Sequence, residues 1–170
     1  MIEVRRFNPF LAEQLPDTYA LLEDGGLRIH GSVDRVTLHG SRGPRGGARP
    51  DSDLDLCLAV SATSLAVARD QSQLLREVLV TTLDAWQRHV DLDLAAMFDK
   101  TGCGLRCLDL SEYSPCLCPS TVDCVGLFKI QKGFDGFVSE STVDCRRMYP
   151  LMEIWTRPGE DRRKEQKQTG

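Results

Sequence analysis

The sequence predicts an α/β (α+β) fold: a small mixed β-sheet with helices packed on one face, followed by a C-terminal extension. Two observations carry this. Apolar residues alternate, or run almost without break, over residues 33–38, 53–60 and 90–98, the pattern of strands. Between the second and third of these, residues 64–88 change to steps of three and four, the pattern of a helix. Composition agrees: of 170 residues, 41% are hydrophobic and 27% charged, enough apolar material for a core without a metal or disulfide scaffold.

In chain order, residues 8–24 read as a helix, with Phe10, Leu11, Leu15, Tyr19, Leu21 and Leu22 near helical spacing and Pro16 interrupting the run. Gly25-Gly26 ends it as a glycine C-cap. Val33–Leu38 is a short β-branched strand, followed by Gly40, Ser41 and a loop dense in Gly, Pro and Arg. Asp53–Val60 is a strand covered on at least one face. The helix over 64–88 presents Leu65, Ala68, Leu75, Val78, Leu79, Leu83 and Trp86 on one side, and Val90–Phe98 follows as a strand. Beyond it, Leu105–Leu110 reads as a further strand, while Val125–Ile130 (strand or helix) and Tyr149–Trp155 stay undecided. The expected division is a core over 1–99, an extension over 100–156 and a disordered tail over 157–170, which carries no large apolar side chain.

A net charge of −4 argues against coating nucleic acid by bulk electrostatics, though not against a local basic pocket. No stretch approaches the roughly 20 apolar residues that span a bilayer. The N-terminal segment lacks the apolar centre of a signal peptide, so a cytoplasmic location is expected. In that compartment the seven cysteines are expected as thiols. A zinc site from Cys103, Cys107, Cys116 and Cys118 is the competing view, but C-x3-C and C-x-C are not the usual C-x2-C pairs. His39, His89, Trp86 and Trp155 read as structural, and Lys129 and Lys132 as a solvated strand edge.

The chemistry concentrates between residues 40 and 93. On a strand, residues i and i+2 share a face about 6.5–7 Å apart, so Asp53 and Asp55 project side by side while Leu54 and Leu56 face the opposite layer. Two such carboxylates repel when desolvated, and divalent cations relieve this. Mg²⁺ takes hard oxygen ligands and keeps waters that phosphate oxygens can replace. Two ions about 3.5–4 Å apart clamp phosphoryl and nucleotidyl transfer. Asp91 and Asp93 repeat the pattern on the next strand, where one of them can reach the same metals. Gly40 permits close approach of backbone N–H groups to phosphate, and the Ser41 hydroxyl can donate to the same oxygens. Arg42, Arg45 and Arg49 are available for a triphosphate or simply for solvent.

His39-Gly40-Ser41, eleven residues, then Asp53-Leu54-Asp55-Leu56 resembles the signature of the DNA polymerase β-type nucleotidyltransferase superfamily. The segment containing Ser52-Asp53-Leu54-Asp55 is most similar to the minimal nucleotidyltransferases, and Val90-Asp91-Leu92 resembles the strand of the family's third carboxylate. The resemblance spans about residues 33–95. It implies the nucleotidyltransferase fold, with Asp53, Asp55 and Asp91 (or Asp93) binding Mg²⁺, as two ions. It also implies that Gly40 and Ser41 hold the phosphates of a nucleoside triphosphate, ATP by analogy; Arg42 and Ser52, beside them, are further candidate nucleotide-binding residues. The third carboxylate is expected at Asp91, which directly follows a β-branched residue. The implied activity is transfer of a nucleoside monophosphate to a hydroxyl of a protein or small molecule. The alternative implied by the same family is an antitoxin-like partner of a small helical toxin, with a weak or vestigial site. Association with a like or unlike chain stays open. Two departures stand out: His39 replaces an apolar residue, and His30-Gly31-Ser32 duplicates the phosphate motif too far upstream.

Overall fold

Alternation in the central strands builds the molecule from the inside. A computed structural model describes residues 1–87, 90–109, 124–139 and 148–159. The strands are β1 (Ile2–Glu3), β2 (Arg28–Ile29), β3 (Val33–His39), β4 (Leu54–Val60), β5 (Leu92–Asp99), β6 (Val125–Lys129), β7 (Gly136–Phe137) and β8 (Met152–Thr156). The helices are α1 (Pro9–Gln14), α2 (Pro16–Gly25), α3 (Ala62–Val67) and α4 (Gln71–Ala85). Six strands form one mixed sheet in the order β7-β6-β5-β4-β3-β8, and β1 pairs with β2 alone. Within the six-stranded sheet β4 and β5 run parallel and their neighbours antiparallel. The α/β class with a mixed sheet is therefore as expected.

Leu54, Leu56 and Leu58 of β4 and Leu92, Leu94 and Ala96 of β5 point to one face, where they meet Leu11, Leu22, Leu75, Val78 and Leu79 of the helices. Each long core side chain removed from water there contributes about 1.5–3 kcal/mol before entropy is counted. The helices differ in detail from the sequence pattern. Pro16 starts a second helix instead of merely bending the first, because it has no N–H to give and suits a first helical turn. The run over 64–88 divides at 68–70: Ala68 is extended, and the Asp70 carboxylate caps α4 by accepting from Gln73 N at 3.1 Å. Gly26, with φ of 68°, provides the left-handed C-cap.

One expectation about the rest of the chain is corrected. Residues 106–109 form a 3₁₀ turn rather than the strand expected over 105–110. From the chain after residue 99, β6 and β8 flank the central strands and contribute Phe128, Ile154 and Trp155 to the main core. At the start of the expected tail, Arg157 donates from its backbone to Asp34 O at 2.7 Å and from its guanidinium to the Asp34 carboxylate at 3.0 Å. Residues 160–170 lie outside the described residues.

Side chains from the described part of the extension cover the other face of the sheet. Leu105, Cys107, Leu108, Cys124 and Leu151 pack there on Ala59, Met97 and Val125, at the C-terminal ends of β4 and β5. The N-terminal ends of the same two strands carry the aspartates.

Candidate functional site

Strand register assembles the acid cluster. In the parallel pair β4/β5, Asp55 stands opposite Asp93, and in the antiparallel pair β3/β4, His39 stands opposite Asp55. Asp53, Asp55 and Asp93 are half-buried, whereas Asp91 is exposed and precedes the strand. The backbone carbonyl of Asp91 accepts from Leu54 N at 2.9 Å, fixing the start of the parallel pairing. The charges that act on Asp55 come from Asp93 and Asp53, with Lys129 and Lys132 opposing them. Of the two aspartates expected to supply a third carboxylate, register sets Asp93 opposite Asp55 and leaves Asp91 before the strand.

Burial first, then the negative charges of Asp93 and Asp53, raises the Asp55 carboxyl above its ordinary titration range. Two residues along the same face, burial pushes the Cys57 thiol up to about 12, which leaves it an inert packing group beneath the cluster. His39 is structural, as expected. Its Nδ1 donates to Met148 O at 2.9 Å, so its Nε2 accepts from the Thr37 hydroxyl at 2.7 Å. Burial lowers its pKa, keeping the ring neutral, and the ring ties the extension to β3.

The loop after β3 is built around Gly40. Its φ is 69°, and a Cβ at this position would lie 1.9 Å from Asp55 Oδ2. Glycine is therefore required by backbone conformation and by the closeness of the carboxylate. Gly43 N then donates to Gly40 O at 3.0 Å. Ser41 lines a cavity of about 490 Å³ between this loop and the α1–α2 junction, together with Asp17 and Thr18.

The other two residues expected at the phosphates are engaged within the loop. Arg42 donates to the carbonyls of Ser52 at 2.8 Å and of Arg49 and Pro50 at 3.2 Å, and Ser52 Oγ accepts from Arg49 N at 2.8 Å. Five donors on a planar guanidinium suit clasping several carbonyls at once. Arg42 and Ser52 shape the Gly40–Asp53 connection.

Sequence reasoning missed the lysines. Lys129 Nζ lies 2.6 Å from Asp93 Oδ1, and Lys132 Nζ lies 3.1 Å from Asp53 Oδ2. The hydrogen bond to Asp53 leads the causes that raise the Lys132 pKa. A K-x-x-K pair at a strand end was the visible signal, but only the position of β6 beside β5 aims it at the carboxylates.

Among the described residues, no three His, Cys, Asp or Glu side chains are disposed to enclose a cation. The donor set nevertheless suits a hard divalent ion. Asp55 pairs with Asp93 in register, Asp53 lies two residues before Asp55, and the Asp55 carboxylate packs directly against Gly40, so three sets of hard oxygen donors stand close together. Cys57, Cys103, Cys107 and Cys124 are in no disulfide; Cys116 and Cys118 of the competing zinc set, Cys145 and His89 lie outside the described residues.

No protein-family model, curated protein or solved structure matches the chain. Among the described residues no helix is long and apolar enough to cross a membrane.

Proposed function

We propose that this chain is a metal-dependent nucleotidyltransferase with the fold of the DNA polymerase β-type superfamily, moving a nucleoside monophosphate, AMP from ATP, onto an acceptor hydroxyl. The observation that carries this reading is the convergence of Asp53, Asp55 and Asp93 on one sheet face, against a Gly40 turn with no space for a side chain. Asp53, Asp55 and Asp93 would hold Mg²⁺, which when bound supplies neutralising charge to the triphosphate. The Gly40–Ser41 backbone and the Ser41 hydroxyl steady phosphate oxygens. An Asp93 carboxylate oxygen takes the proton of the attacking hydroxyl, the new bond forms at the α-phosphate, and pyrophosphate leaves. The acceptor is a protein or a small molecule.

One observation favours a second reading. With Lys129 and Lys132 already on Asp93 and Asp53, the cluster is largely neutralised without a cation, as befits an antitoxin-like binding module with a vestigial site. Calorimetric titration with ATP, with and without Mg²⁺, separates the two. The enzyme reading expects binding by the wild type that needs Mg²⁺ and disappears in Asp53→Asn/Asp55→Asn. No binding by folded wild-type protein would overturn it in favour of the binding module.

A further inference from the structure

Lys129 and Lys132 reach the acid cluster from a segment that is itself fastened to β5. The Gln131 side chain lies alongside the strand and bonds on both sides of Asp93. Its Oε1 accepts from Leu94 N at 2.6 Å, and its Nε2 donates to Leu92 O. The amide thus takes the place of a further strand residue where β6 has ended. Gln131 also closes the next turn, its carbonyl accepting from Phe134 N at 3.0 Å. Within that turn Lys132 adopts φ of 55°, a left-handed conformation uncommon for a residue with a side chain. With Gln131 clamped, Lys129 on one side and Lys132 on the other deliver one ammonium each to Asp93 and Asp53. Asp55, between them, has no lysine ion pair of its own among the described residues.

We propose that Lys129 and Lys132 are resident counter-ions of the acid cluster, which a divalent cation must displace, and that Gln131 is the positioning residue that keeps them there. This rests on the metal-site reading above. Lys129 Nζ occupies one carboxylate oxygen of Asp93, and each ammonium repels an incoming cation. The arrangement lets a group of three carboxylates fold and persist without metal, at the expense of metal affinity. Loading then requires the lysine side chains to swing outward, which is open to them: Lys132 is 71% exposed and Lys129 32%.

The test is calorimetric titration of the full chain with Mn²⁺ alone, on wild type, Lys129→Met and Lys132→Met, alongside melting curves without metal. Methionine keeps most of the aliphatic stem and removes the charge; Lys132, at the surface, can be changed without disturbing the core. The expected result is Mn²⁺ binding about tenfold tighter in each lysine variant. It comes with a lower metal-free melting temperature that added Mn²⁺ restores. Unchanged or weaker Mn²⁺ binding in both variants, with wild-type binding abolished by Asp53→Asn/Asp55→Asn, would overturn the counter-ion role and leave the metal site standing. Absence of Mn²⁺ binding in the wild type and in both folded variants would overturn the metal site and the counter-ion role together.

Discussion

Asp55 sits between two other carboxylates with part of its surface out of water, and its pKa is raised by burial first and by Asp93 and Asp53 next. The folded protein therefore keeps a proton on Asp55 at a pH where the unfolded chain has lost it. Between the ordinary aspartate range and the raised value the unfolded state binds fewer protons, so stability falls as pH rises through that window, and the loss persists at neutrality. Replacing the side chain by a neutral isostere removes the penalty. Asp55→Asn should melt at a higher temperature than wild type in metal-free buffer at neutral pH, with the difference shrinking below the ordinary aspartate range. A variant less stable than wild type at neutral pH would show that Asp55 is not strained by its surroundings. The pairing of Asp53 and Asp55 was legible in the sequence because a two-residue period is a property of a single strand. The shifted pKa was not, since it depends on Asp93 and on the cover over the face.

At the scale of elements, the strand-to-loop turn after β3 combines a positive φ with a carboxylate almost in contact. Gly40→Ala places a methyl group where Asp55 Oδ2 already lies, and also in a left-handed conformation costing about 1–2 kcal/mol by itself. Chemical denaturation should show a loss of at least that size, because the aspartate must move as well. Unaltered stability would mean that the turn can withdraw from Asp55. Central strands and the glycine C-cap could be read in advance; the two helix breaks were only half visible. Pro16 was seen as an interruption but not as a new start, and the Asp70 cap lay inside a continuing apolar period. The 3₁₀ turn at 106–109 shows the limit of short apolar runs, which do not separate a strand from a turn packed on a sheet.

At the scale of the whole molecule, the six-stranded sheet has two different covers. Helices bury one face; on the other, the apolar cluster around Met97 and Leu108 sits at the opposite end of β4 and β5 from the aspartates. Both outer parts of the sheet come from the chain after residue 99, since β6 lies against β5 and β8 against β3. A fragment ending at residue 99 should therefore fail to fold, losing Phe128, Ile154 and Trp155 from the core at about 2–5 kcal/mol each. Circular dichroism and a melting curve would check this, and a cooperative transition in the fragment would show that the first 99 residues are self-sufficient after all. By itself the sequence determined the strand and helix periods, the shared face of Asp53 and Asp55, and the glycine turn, all of which depend on residues close along the chain. Only the tertiary structure decided that Asp93 meets Asp55, that Lys129 and Lys132 come from 36 and 79 residues away to bind Asp93 and Asp53, and that Arg42 turns inward. Those outcomes follow from register and strand order, which are set by how the Leu54–Leu58 and Leu92–Ala96 rows fit beneath the helices, and no local pattern encodes that fit.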